Sequence, residues 1–150
     1  DVISTGKDSR VELKMIDEAQ FNLGARTNFV VEEYFLMADR SNAAIRLLSG
    51  AVGIVSGKIA SLDSKPFVLR TATATIGVRG TTFWGGEIDG SLQFALIKGK
   101  GITVANKAGS VEITGVGQGT NVPNEAIAPT TPKKWGQGKL DRAAAMTSIK

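Results

Sequence analysis

Thr71-Ala72-Thr73-Ala74-Thr75-Ile76-Gly77-Val78 sets an apolar side chain at every second position, with threonine or glycine between. A period of two sends alternate side chains to opposite faces of an extended chain, so the stretch predicts a strand with one buried and one wet face. The same alternation recurs upstream, where Val11, Leu13 and Met15 interleave with Arg10, Glu12 and Lys14. It recurs downstream at Phe67 and Leu69, at Ile102 and Val104, and at Val111 and Ile113, with Ala108-Gly109 turning between the last two pairs. Asp89-Gly90 separates two β-prone runs, 83–88 and 92–97, as a two-residue hairpin turn does. Further apolar runs at 29–31, 35–37, 44–48 and 52–55 are broken at 38–42 and by Gly50. Roughly ten short strands result, an all-β fold built as a short β-solenoid or a distorted two-sheet sandwich or roll.

Composition agrees with this. A chain of 150 residues suits one domain that buries about two-thirds of its unfolded surface. With 18 glycines and only 6% aromatic residues, it favours strands and tight turns over long helices. Segment 48–52, Leu-Ser-Gly-Ala-Val, resembles 97–101, Ile-Lys-Gly-Lys-Gly, and each leads into an apolar alternation, a weak internal repeat. The chain has no Cys, which excludes disulfide frameworks and thiol chemistry. It has no His, which excludes His-based triads and most neutral-pH proton shuttles. A non-enzyme without cofactor or metal is expected. No apolar run approaches the roughly 18 residues that cross a bilayer, so no membrane insertion is expected of this chain. Because it opens at Asp1, a processed product with its signal peptide removed is the expectation.

Charge is concentrated at one end. Lys133, Lys134, Lys139, Arg142 and Lys150 face a single acid, Asp141, and that surplus equals the +4 of the whole chain. The pI near 9.5 therefore describes a tail, not a basic body, and nucleic acid is not expected as a partner. Pro123, Pro129 and Pro132 mark a linker, after which 138–149 predicts a short helix with Leu140, Ala144 and Met146 near one side. The chain thus divides into a β domain at 1–122 and a linker with a basic arm at 123–150.

The segment Thr73-Ala74-Thr75-Ile76-Gly77-Val78-Arg79-Gly80-Thr81, continued by Phe83, resembles the signature of the FecR domain. Flanking pieces agree in order: 1–6 with 9–13, then 48–57, then 109–111 through 117–119. The resemblance covers about residues 1–122 and implies an envelope or periplasmic domain that binds proteins. In the best-known members such a domain sits outside an inner-membrane helix and controls a σ factor; similar domains also occur alone as envelope proteins.

Thr75, Gly77, Arg79, Gly80 and Thr81 form the structural signature. The two glycines bracket Val78-Arg79, so a bend or bulge is expected there, with a glycine at positive φ or admitting a neighbouring backbone. Arg79, with five donors in a rigid fork, is expected to tie down a carboxylate or carbonyls of its own domain. Trp84 is expected in core or hairpin packing. Trp135, beside Lys133 and Lys134, is the candidate for docking on a neighbouring subunit, since a tail leaving through a Pro-Thr linker reaches another molecule. Trp135, Lys133, Lys134, Arg142 and Trp84 are thus the candidate partner-binding residues.

Weaker patterns carry less. Adjacent Glu32 and Glu33 point to opposite faces of a strand and cannot act as an acid–base pair. Asp17-Glu18 and Glu87 with Asp89 fall short of a calcium loop, and 115–119 lacks the Lys-Ser/Thr ending of a P-loop. Thr71, Thr73 and Thr75 would form a threonine row on one strand face, able to hold a flat ligand but explained by β-propensity.

The sequence therefore favours a non-catalytic periplasmic or extracellular interaction module, a subunit of a homo-oligomer or larger envelope assembly. The alternatives are the periplasmic sensor domain of a transmembrane σ-factor regulator and a carbohydrate-binding module.

Overall fold

The computed structural model describes residues 1–37, 41–61 and 67–148, so the break expected at 38–42 lies mostly outside the described residues. Fourteen strands, one α-helix and a single 3-10 turn at Ile59–Ser61 are present among them. In chain order the strands are β1 (Val2–Ser4), β2 (Val11–Lys14), β3 (Gln20–Leu23), β4 (Asn28–Leu36), β5 (Ser41–Ser49), β6 (Ala51–Val55) and β7 (Phe67–Arg70). They continue as β8 (Thr75–Val78), β9 (Thr81–Ile88), β10 (Ser91–Gly99), β11 (Ile102–Asn106), β12 (Gly109–Ile113), β13 (Gln118–Asn121) and β14 (Lys133–Lys134), and α1 spans Gln137–Thr147.

Two seven-stranded sheets form, one ordered β1-β4-β5-β7-β8-β11-β12 and the other β14-β13-β10-β9-β6-β3-β2. We call them the first and second sheet. Within each, sequence number rises steadily from one edge to the other, so the chain coils along the molecule, crossing between sheets after every one or two strands. Pairing is antiparallel except for β5 with β7. Among the described residues the result is an all-β two-sheet roll without barrel closure, with 54% of them in strands.

The core lies between the sheets, where Phe21, Phe29, Phe67, Phe83 and Phe94 are fully buried with Ile45, Ile54, Leu69, Ile76 and Leu96. Phe21 meets Phe29 and Phe67 edge to face, at ring centroids 5.7 Å and 6.0 Å away, a geometry that suits the quadrupole of each ring.

The threonine alternation is corrected at its start. Residues 71–74 form a turn and only 75–78 form the strand. The Thr71 hydroxyl donates to the Ala74 carbonyl at 2.9 Å and accepts from the Ala74 amide at 3.1 Å. A threonine hydroxyl that satisfies local backbone groups stabilises a turn against continued strand. Thr71 and Thr73 therefore share no strand face with Thr75, and the threonine row is absent.

The hairpin at Asp89-Gly90 is as expected: Ile88 pairs with Ser91, and φ is 52° at Asp89 and 87° at Gly90. The weak repeat also gains a meaning. Gly50 and Gly99, equivalent in the two copies, have φ of 89° and 104°, and both stand where the chain leaves one sheet for the other. Fourteen strands stand against the expected ten; two of the additional ones, β13 and β14 (Gln-Gly-Thr-Asn and Lys-Lys), have no apolar alternation and are held by backbone pairing.

The expectation of a free arm is overturned. β14 pairs with β13, and α1 packs against β6 and β9 on the outer face of the second sheet. Ala51, Trp84, Ile88, Ala95, Trp135 and Ala143 form a second buried cluster there, joined by Leu140 and Met146. Of the helix face expected, Leu140 and Met146 do pack on the sheet, whereas Ala144 is exposed and Ala143 takes its place in the buried cluster. Strands β9 and β10 are covered on both faces, which explains why 83–88 lacks clean alternation.

Candidate functional site

The signature segment is a corner between sheets. Val78 ends β8 in the first sheet, Thr81 begins β9 in the second, and Arg79-Gly80 makes the crossing. Beside it runs the opposite crossing, from β10 to β11 through Lys100 and Gly101. The Lys100 amide donates to the Gly80 carbonyl at 3.1 Å, the Arg79 amide to the Gly101 carbonyl at 3.4 Å, and the Thr81 hydroxyl to the Lys98 carbonyl at 2.8 Å. Positive φ falls on Gly99 and Gly101 instead of Gly77 or Gly80. The close approach is made possible by Gly99, not by a signature glycine: a Cβ at Gly99 would lie 2.6 Å from the Gly80 oxygen.

Arg79 donates to Glu112 on β12 and forms an ion pair within its own domain. With side chains 32% and 55% exposed, the pair is solvent-screened and serves to pin the corner to an edge strand. Thr75 is exposed on β8 and Gly77 half-buried beside it.

The proposed partner-binding residues do come together, but both tryptophans among them are internal. Trp84 is 2% exposed and Trp135 7%. The Trp135 indole lies directly over Gly119, where a Cβ would collide with it. Arg142 grips Asp89 through two hydrogen bonds, Nη1 to Oδ1 at 2.8 Å and Nη2 to Oδ2 at 3.2 Å. That pairing holds the Asp89 carboxyl below its usual range, hydrogen bonding to Arg142 being the main cause. The hairpin turn thus also anchors α1. Lys133 and Lys134 differ, because both are exposed on β14 and neither has a carboxylate partner among the described residues.

A groove of about 400 Å³ lies beside these lysines, bordered by Lys139, Gln93, Thr120 and Thr130. Lys139 Nζ donates to Gln93 Oε1 at 2.6 Å and sits 4.3 Å from the centre of the Trp135 ring, so its charge is held in place. Spacing in the sequence does not reveal Gln93 or the two threonines, since β10, β13 and the 122–132 loop meet only in the fold.

Asp17, which with Glu18 falls short of a calcium loop in the sequence, has a structural role. It is fully buried, and its carboxylate accepts from the Ala19 amide at 3.2 Å, the Ile59 amide at 3.1 Å and the Tyr34 hydroxyl at 2.5 Å. Burial, with the hydrogen bond to Asp17 second, pushes the Tyr34 phenol well above its ordinary range. This is a clasp joining three segments. Glu32 pairs with Arg46 and Glu33 accepts from Asn42, both at the surface. Among the described residues there is no cluster of acids able to hold a metal, and no helix is long and apolar enough to cross a membrane.

Comparison with known proteins agrees with this architecture. Two solved structures of a protein from Parabacteroides distasonis ATCC 8503, provisionally assigned as an anti-sigma factor, superpose with TM-scores of 0.73 and 0.75 at 17% identity. Both alignments cover 94% of this chain, reaching past residue 100, and 62% and 63% of those chains. This chain thus spans less than two-thirds of their length, and the likeness establishes the fold. No curated protein matches. A family model described as FecR protein matches residues 1–100, two-thirds of the sequence, and the chain belongs to the FecR family.

Proposed function

We propose that the chain is the sensor domain of a FecR-type transmembrane regulator, stationed on the periplasmic side, where it binds a protein partner and controls a σ factor. Membership of the FecR family carries the reading, and the shared fold with structures assigned as anti-sigma factors supports it. The C-terminal segment supports it as well. The assembly reading drew on a basic arm that reaches a neighbouring subunit, whereas that arm is folded onto its own domain with Trp135 7% exposed. The carbohydrate reading lacks a platform, because none of the aromatic rings among the described residues is exposed. A non-enzymatic role accords with the absence of His and Cys.

In-frame deletion of this domain from its chromosomal gene tests the proposal by transcript profiling. The sensor reading expects one coherent set of σ-dependent transcripts to change. An unchanged transcript set accompanied by a weakened envelope would support the assembly reading instead.

A further inference from the structure

We infer that the groove along β14 receives an extended acidic segment of a protein partner, added as a strand to the open edge of the second sheet. The inference rests on the partner-binding reading above and specifies the partner's chemistry.

Among the described residues β14 is the terminal strand of its sheet, with no strand on its outer side. A free edge offers unpaired backbone groups, the template for strand addition. Lys133 and Lys134 are successive residues on that edge, so their side chains project to opposite sides of it and would flank an incoming strand. No Asp or Glu lines the groove, while Lys133, Lys134 and Lys139 all do. Lys139 is already ordered by Gln93 and Trp135, which lowers the entropy lost when it meets a carboxylate. Its nearest acid in the fold, Asp89, is 3.9 Å away and engaged by Arg142 at 2.8 Å.

Alternative occupants fit less well. A second copy pairing through β14 would bring lysine against lysine, and like charges across an edge oppose pairing. A stacked sugar or nucleobase needs an exposed ring, and Trp135 is 7% exposed.

Fluorescence anisotropy with a labelled peptide of alternating Glu and Val, added to the full chain, is the test. Comparison probes are a Glu-Pro peptide of equal charge, in which every second residue lacks the amide that pairs strands, and labelled oligo-dT. The Glu-Val peptide is expected to bind, to bind at least about tenfold more tightly than the Glu-Pro peptide and oligo-dT, and to weaken at least about tenfold with K133E/K134E. That variant changes only exposed side chains, so its melting temperature should be unaltered. Absence of Glu-Val binding overturns the inference, as does equal binding of the Glu-Pro peptide or of oligo-dT, or full binding by the variant. If the variant loses the peptide yet still crosslinks to its cellular partner, the groove is not the partner site and the sensor reading stands.

Discussion

Trp135 packs edge to face on Trp84, ring centroids 6.0 Å apart and planes at 67°, and so joins the C-terminal segment to the centre of the second sheet. Trp84 comes from β9, which follows the signature corner, and Trp135 follows a proline-marked loop. Their contact makes residues 123–148 a structural part of the roll, with Arg142 bound to Asp89 as a second anchor.

Trp135→Ala should therefore destabilise the fold by about 3 kcal/mol, the usual cost of truncating a buried large ring. Urea denaturation checks this. Unchanged stability would mean the segment is detached in solution. A chain ending at Val122 should lose at least as much, because it exposes Trp84, Ala95 and Ile88 together.

The Asp17 clasp yields a pH dependence with a defined sign. Since the fold holds Tyr34 as the neutral phenol and raises its pKa, this contribution is complete below the free phenol's value of about 10 and is lost as pH rises above it. Tyr34 is the one tyrosine in the chain, so phenolate absorbance reports it alone. Native protein should show phenolate only as it unfolds in alkali. Tyr34→Phe should cost about 1–2 kcal/mol, and Asp17→Ala, which strands two buried amides, about 3 kcal/mol.

At the corner, Gly99→Ala and Gly77→Ala should differ sharply although Gly77 belongs to the signature. A Cβ at Gly99 would lie 2.6 Å from the Gly80 oxygen and 2.8 Å from the Thr81 Cα, at a φ of 104° that L side chains rarely adopt. A cost of about 2 kcal/mol or more is expected. At Gly77 the nearest atom would be 4.0 Å away, and alanine there should be nearly neutral. Paired thermal melts of the two variants decide it.

For Arg79, a double-mutant cycle with Glu112 should return a coupling below about 1 kcal/mol that fades in high salt, as for other exposed ion pairs. A larger, salt-insensitive coupling would contradict the assignment of a screened surface pair.

Local chemistry made much of the fold legible. Alternation at 11–15 and 102–113 located strands, and Asp89-Gly90 located its hairpin, because periodicity and turn preference are properties of neighbouring residues. Gly50 and Gly99 were visible as a repeat, yet their role as sheet crossings needed the three-dimensional course of the chain. Thr71 misled because β-propensity and turn capping compete for one hydroxyl, and sequence periodicity records only the first. The C-terminal segment misled for a different reason. Pro129 and Pro132 read as a linker, whereas the docking of Trp135 depends on Gly119 and Trp84, far away in sequence. Of the candidate binding residues, Lys133 and Lys134 stand at the surface with no carboxylate partner among the described residues, Arg142 is at the surface but paired with Asp89, and Trp84 and Trp135 are taken up in packing.

Crosslinking in intact cells, with a photoreactive residue placed at Lys133 of the otherwise native protein and the adducts identified by mass spectrometry, tests most directly whether the domain binds a protein partner through β14. The account predicts adducts with a distinct envelope protein, bearing an acidic extended segment at the crosslinked site. Adducts formed solely between copies of this chain would contradict it.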